Sequence, residues 1–378
     1  MRQGESVQLF APTENRATYN FREMDDVNDA GWRQKRNFRG TGFLTLRCRN
    51  VLLGAAVVVL AFSASGALAE SCQTSNEMDD AARNGLTNAA LRYFGLISKG
   101  DAASLKQNAI PSLAADFSGV QDRMKESQPA LASAKASARP PFLLVADGTA
   151  PIARAEFFCG VFGSKGQTRD SAVFTLNNLP PGKYGVAVLD APTPKGPYTV
   201  SLILQQQGSD WKVGGLYIKS GQAAGHDSDW YAQKAREFAA KGQAHNGWLY
   251  NLQAISLVSP LPFMSTLVTD KLYDDLQKSQ PADVPADGKT ADLFVGGATY
   301  KLTAMFPEVV GNDLDLIVRY TASDVSNSNQ TYQNNVALMK ALLTKYPELR
   351  DAFVAVVARA VDPAGRDYGT MLAMKDIK

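Results

Sequence analysis

The 378-residue chain is longer than one ordinary core, and with 45% apolar against 20% charged residues it can bury enough surface to fold without metal or disulfide staples, so two or three domains are expected. Nine of its 39 Lys/Arg and six of its 37 Asp/Glu lie in residues 1–69, which leaves 30 basic against 31 acidic side chains from Glu70 onward. That near-neutral remainder carries no basic stripe interleaved with aromatics, so a nucleic-acid partner, which needs clustered cations to displace counterions from phosphates, is not expected.

Residues 1–46 are polar, mixed in charge and without sustained periodicity. They read as a disordered or mis-annotated extension, with Met24 as a candidate downstream start. Arg47 and Arg49 then precede an apolar run over 51–62, and small residues end at Ala67-Leu68-Ala69. This order predicts a signal peptide over 47–69 cleaved between Ala69 and Glu70, giving an exported, periplasmic or secreted product. Ser63, Ser65 and Gly66 weaken the run as a permanent span, so membrane contact is expected only through an uncleaved signal. Glu70, two residues before Cys72, does not suit lipid attachment there. Cys48 falls in the signal, leaving Cys72 and Cys159. In an oxidising compartment these two can form one disulfide tying the tail to a strand; alternatively Cys159 is a buried free thiol and Cys72 sits in a loose tail.

From residue 79, Leu86, Ala90, Tyr93 and Ile97 recur at helical spacing and Gly100 supplies a stop. Shorter helices are expected over 102–108 and 112–125, before an Ala/Ser/Pro-rich stretch over 129–141. Six strands follow, over 142–146, 155–162, 171–176, 183–189, 198–205 and 211–219. In the fifth, Tyr198, Val200, Leu202 and Leu204 share one face. Residues 207–210, Gln-Gly-Ser-Asp, predict a hairpin into Trp211, and Leu179-Pro180-Pro181-Gly182 a turn between the third and fourth strands.

Three helices followed by a curved antiparallel sheet, closed by the hairpin YTVSLILQQQGSDWKVGGLYI, resemble the NTF2-like cone fold over residues 75–220. The stretch FTLNNLPPGKYGVAV is also similar to the turn of carboxypeptidase-regulatory-like β-sandwiches, but the preceding helices have no place in a simple sandwich, which favours the cone. The first domain is set at 70–220.

Residues 221–283 read as a helical hairpin, 229–241 and 243–259, joined at Gly242. Tyr231, Ala235, Phe238 and Ala239 stripe its first helix, and Trp248, Leu252, Ile255 and Leu257 its second. The pair is similar to one tetratricopeptide-type hairpin; no second copy recurs at a fixed period, so it reads as a linker packed between domains. A Pro-rich boundary over 280–288 leads to a small α+β domain, 284–378. Its strands are expected over 291–295, 299–306, 314–321, 353–361 and 368–374, with a helix over 330–346 carrying Val336, Met339, Leu342 and Leu343 across an antiparallel sheet. The ending RDAFVAVVARAVDPAGRDYGTMLAMKDIK resembles a family of exported bacterial proteins; the resemblance implies location and architecture and carries no activity.

Signals of chemistry are sparse. The two histidines, His226 and His245, lack the three or four ligands at set spacing that zinc requires, so neither a metal nor a cofactor is expected. His226-Asp227-Ser228 are adjacent and cannot converge as a triad; Asp227 or Ser228 is read as a helix N-cap. Gly214-Gly215 and Gly296-Gly297 lack the following Lys-Ser/Thr of a phosphate loop and fit bulges or turns. The Asp/Asn-rich stretches 312–315 and 362–367 read as turns, because a calcium loop needs five or more oxygens at set intervals.

If the first domain is a cone, its resemblance implies a pocket above the sheet. Glu156, set among Phe157, Phe158 and Cys159, is then the one carboxylate nameable as a pocket base, with solvent or a nearby Arg as its alternative partner. Tyr93, Trp211 and Tyr217 are the lining candidates. The sequence thus points to an exported, non-catalytic protein that binds a small apolar ligand or another protein. A cone-fold hydrolase or isomerase using a pocket carboxylate, and a structural envelope scaffold, are the alternatives.

Overall fold

The computed structural model describes residues 70–161, 166–286, 288–295 and 297–378. The expected extension, the signal segment and Ala69 lie outside these residues. The described chain is α+β, with helices and largely antiparallel sheets.

Helix α1 (Asp80–Lys99) begins where the Asp79 carboxylate accepts the Ala82 N–H at 2.7 Å and ends at Gly100, whose left-handed φ of 72° lets its N–H reach the Ile97 carbonyl. It buries Leu86, Ala90, Tyr93 and Ile97, the stripe read from the sequence. After α2 (Ala102–Gln107), the stretch expected as one helix over 112–125 is two, α3 (Pro111–Ala115) and α4 (Ser118–Leu131). The second runs past Pro129, inside its last turn, so the Ala/Ser/Pro-rich stretch starts helical.

The main sheet has the order β1 (Glu70–Gln73), β3 (Phe142–Ala146), β6 (Gly182–Thr193), β7 (Gly196–Gln207), β8 (Asp210–Ser220), with β2 (Ser137–Ala138) pairing β6; all its pairs are antiparallel. A smaller sheet holds β4 (Ile152–Cys159), β5 (Ala172–Leu179) and β9 (Met264–Thr266). One face of the main sheet meets the helices, with Leu189, Val200, Leu202 and Leu204 against Leu86, Tyr93, Ile97 and Met124. The other meets the smaller sheet, with Leu144, Val186 and Ile203 against Phe157, Phe174 and Met264. Alternation along each strand supplies both faces with apolar side chains, which is why the middles of β6 and β7 are buried on both faces.

Gln207 and Asp210 pair across the β7–β8 hairpin, with Gly208 at a φ of 63°. The other expected turn is different. Leu179-Pro180-Pro181-Gly182 does not close a hairpin but carries the chain from the smaller sheet to the main one. Two successive prolines offer no N–H to a ladder, so the segment suits a corner between sheets. It is fastened by the Tyr184 hydroxyl, which donates to the Pro180 carbonyl at 2.7 Å.

The second half begins with the hairpin α5 (Ser228–Ala240) and α6 (Ala244–Val258); Asp227 caps α5 by accepting the Trp230 N–H. Helix α7 (Leu267–Ser279), absent from the sequence reading, follows β9 and starts with a Thr266–Thr269 capping box. A five-stranded sheet comes next, β10 (Ala291–Val295), β11 (Ala298–Val310), β12 (Asp313–Thr321), β13 (Ala355–Val361) and β14 (Asp367–Ala373), with α8 (Ser328–Lys345) between β12 and β13. The expectation of an all-antiparallel sheet is corrected here, since β12 and β13 run parallel. Parallel neighbours need a crossover long enough to return the chain, and α8 provides it. Trp248 and Ile255 of α6, Leu302 and Leu316 of the sheet, and Leu338 and Leu342 of α8 belong to one continuous core, so hairpin and C-terminal sheet bury their apolar faces together.

A polar fastening ties this half to the first. Lys219 at the end of β8 donates from Nζ to the Ser256 and Ser259 carbonyls at 2.5 and 2.6 Å, at the C-terminus of α6. A cation there satisfies carbonyls left over by the last turn and complements the negative end of the helix dipole.

Candidate functional site

The lining candidates divide between two faces of the main sheet. Tyr93 is fully buried beneath α1, and its hydroxyl donates to the Trp211 carbonyl at 2.5 Å while accepting from Arg92 Nη2 at 3.1 Å. Trp211 belongs to the same core. Tyr217 does not. It packs on the smaller-sheet side, with its ring edge-on to Phe263 at 5.7 Å. The reason is a β-bulge. Ile203 pairs with Gly215 and Leu204 with Val213, so Gly214 is an extra residue that reverses the alternation within β8. Trp211 and Val213 before it, and Leu216 and Ile218 after it, all face the helices. The glycine pair read from the sequence as a bulge is therefore what separates Tyr217 from Trp211.

Leu86, Ala90, Tyr93, Ile97, Leu105 and Leu202 each have 0% exposure, so no water-sized space opens beside them. Between helices and main sheet these side chains meet one another. Glu156 lies elsewhere. Alternation in β4 buries Ala155, Phe157 and Cys159 and turns Arg154, Glu156 and Phe158 to the outside of the smaller sheet. The Glu156 carboxylate accepts from Arg154 Nε at 2.9 Å. This is the nearby-Arg alternative that the sequence left open for Glu156, and β4 belongs to the sheet that the helices do not cover.

Cys72 and Cys159 are joined as a disulfide that ties β1 to β4, with their Cα atoms 5.1 Å apart. Cys159 is fully buried, and Cys72 packs against the same core. Glu70, expected as the first residue after cleavage, begins β1 opposite Ala146, and its carboxylate accepts the Glu156 N–H at 2.9 Å.

A cluster of titratable groups surrounds His245, near the start of α6. Its Nδ1 lies 2.7 Å from Glu348 Oε1 and its Nε2 lies 3.0 Å from Asp283 Oδ1. The Tyr346 hydroxyl donates to Asp283 Oδ2 at 2.8 Å, Lys345 Nζ lies 3.4 Å from the same oxygen, and the Tyr346 ring leans over the imidazole at 4.1 Å. Neighbouring bonds follow the same seam: Gln243 Nε2 donates to Asp351, and Asn246 Nδ2 to the Glu348 carbonyl, each at 2.6 Å. Burial pushes the Asp283 carboxyl up, but hydrogen bonds from His245 and Tyr346, with the charges of His245 and Lys345, outweigh it and hold the group down at about 2. Tyr346 is pushed up, chiefly by burial and then by donating to that carboxylate.

An ionised carboxylate only accepts, so a ring protonated on both nitrogens can donate to Asp283 and Glu348 at once. With both nitrogens occupied, the ring fastens three chain segments and offers no free lone pair for proton abstraction. Sequence reading missed this cluster because the two carboxylates lie 38 and 103 residues from the histidine. His226 stands apart, stacked on Trp230 at 3.7 Å.

The acidic turns resolve into internal bonding. Asp362, at 2% side-chain exposure, accepts from the Ala364 and Arg366 N–H groups and from the Arg366 guanidinium, which outweigh its burial and hold it below the usual carboxylate range. Asp315 is buried and pushed up by that burial, with one carboxyl oxygen unpartnered. Among the described residues no group of three His, Cys, Asp or Glu is placed to hold a metal ion, and no helix is long and apolar enough to cross a membrane. No protein-family model, curated protein or solved structure matches the chain.

Proposed function

We propose that the mature chain is an exported, non-catalytic binding protein that meets its partner through its outer surface. The observation that carries this reading is the close packing around Tyr93, between the first helix and the main sheet. Tyr93 is fully buried and hydrogen-bonded to the Trp211 backbone, and the side chains around it leave no water-sized space. A small apolar ligand would have to displace core side chains there, which disfavours the small-ligand form of the reading and leaves protein binding, with the structural envelope scaffold as the alternative. Export is supported by the basic–apolar–small order over 47–69 and by a disulfide between Cys72 and Cys159, since such bonds persist in oxidising compartments.

The first half is read as an NTF2-like cone because its helices precede an antiparallel sheet and cover one face of it. The smaller sheet over the opposite face is an elaboration that the resemblance does not imply.

Native mass spectrometry of the protein recovered from the cells that make it tests both parts. The expected mass is that of residues 70–378 with one disulfide and no retained small molecule. A stoichiometric small-molecule adduct would overturn the reading of a filled interior, and an intact N-terminal segment on a membrane-embedded product would overturn export with cleavage.

A further inference from the structure

We propose that His245 is a proton-operated clamp, whose loss of a ring proton releases the Asp283 segment while the contact with Glu348 is kept. The clamp joins three places in the fold. His245 itself stands in the first turn of α6, Asp283 in the connection from α7 to β10, and Glu348 in the short helical turn Pro347–Asp351 that follows α8.

Which contact yields follows from the partners each carboxylate retains. Asp283 has other donors, the Tyr346 hydroxyl at 2.8 Å and Lys345 Nζ at 3.4 Å, and its side chain is 43% exposed. Glu348 is 21% exposed, and His245 Nδ1 stands 2.7 Å from its Oε1. A neutral imidazole has one N–H and one lone pair. Placing the lone pair towards Glu348 would leave the more buried carboxylate facing it at 2.7 Å. Placing it towards Asp283 costs less, because that carboxylate keeps Tyr346 and Lys345 and can move towards water. The neutral ring therefore holds its proton on Nδ1, and Nε2 turns repulsive to Asp283.

The charged and titratable groups facing the ring are Asp283 from its connection, Lys345 and Tyr346 from the end of α8, and Glu348 from the turn that follows; Asp351 of that turn bonds to the neighbouring Gln243. Asp283 lies between Pro281 and Pro285, while Val284 and Ala286 are buried against the shared core. Release thus frees Ala282 and Asp283 and leaves Val284 and the apolar seam of Tyr250, Ala352 and Phe353 in place.

Long-range 15N spectroscopy of the histidine rings in the mature protein, followed from pH 5 to 9, tests the clamp, with His226→Ala used to assign the two rings. At low pH both His245 nitrogens should be protonated. At high pH the proton should remain on Nδ1, and backbone order parameters of Ala282 and Asp283 should fall from about 0.85 towards 0.6 while those of Val284 and 349–352 hold. In Glu348→Ala the neutral ring should move its proton to Nε2. A neutral wild-type ring protonated on Nε2, or order at Ala282 and Asp283 unchanged across the ring's titration, would overturn the proposal. Asp283→Asn gives a second check, because its residues 282 and 283 should show no order change across the same pH range.

Discussion

Leu86 of α1 occupies the space that a side chain at Gly185 of β6 would need. A Cβ built on Gly185 would run into the Leu86 side chain, and Leu86 has 0% exposure, so it has nowhere to retreat. The contact sets how closely the first helix approaches the main sheet. It also explains a glycine in the middle of a long strand, where the residue is otherwise unfavourable.

Gly185→Ala should therefore destabilise the protein by about 1–3 kcal/mol through overpacking. Leu86→Ala alone should cost about 2–5 kcal/mol. Because the second change vacates the volume the first one needs, the double variant should be less destabilised than the two costs added. Urea denaturation of the four proteins measures the coupling, and strict additivity would show that the two positions do not share that space.

The disulfide fixes a four-residue strand, β1, to β4 across 87 residues of sequence. Replacing Cys72 and Cys159 together by Ala should cost about 2–5 kcal/mol and abolish the effect of reductant on stability. Amide exchange should rise first in residues 70–73 and in the facing β3. Equal denaturation midpoints for wild type with and without reductant would contradict this.

Lys219→Met keeps most of the side chain's length and removes the cation that two carbonyls of the α6 terminus accept. The expected cost is about 1–2 kcal/mol. Exchange at the last turn of α6 should rise while the hairpin core holds, so hydrogen-exchange mass spectrometry of residues 252–262 reads the effect directly.

Asp283 predicts an acid limb of stability. Its carboxyl titrates near 3.9 in an unfolded chain and at about 2 in the folded one. A depressed folded value contributes stability that is present above the unfolded value and lost as pH falls towards about 2. With the side chain 43% exposed, screening reduces the contribution to about 1 kcal/mol. The stability gap between wild type and Asp283→Asn should therefore shrink between pH 5 and pH 2, a trend that denaturation at several pH values follows.

Local signals carried much of the architecture. The stripe Leu86, Ala90, Tyr93, Ile97 and the stop at Gly100 specify α1, because helical periodicity and a left-handed cap are properties of a short stretch of chain. Period-two patterning likewise placed the six strands of the first half and the five of the last within a few residues of their observed bounds. Strand β1 was out of reach, since four residues with three polar ones show no pattern until β3 and Cys159 give them partners. Helix α7 went unread, although its Thr266–Thr269 cap and its buried Tyr273 and Leu276 were legible signals.

What one element does to another was decided by the tertiary structure alone. The bulge at Gly214 put Tyr217 on the opposite face from Trp211, and membership of the smaller sheet turned Glu156 outward to Arg154. His245 looked like an isolated helix-start residue because its two carboxylates come from distant parts of the chain, and no local spacing records such a meeting. The sequence by itself determined which segments become helix or strand and which side of each is apolar, since these depend on neighbours a few residues apart. Which faces meet, and therefore which titratable groups touch, depended on how the sheets close over one another, and that is set by packing across the whole molecule.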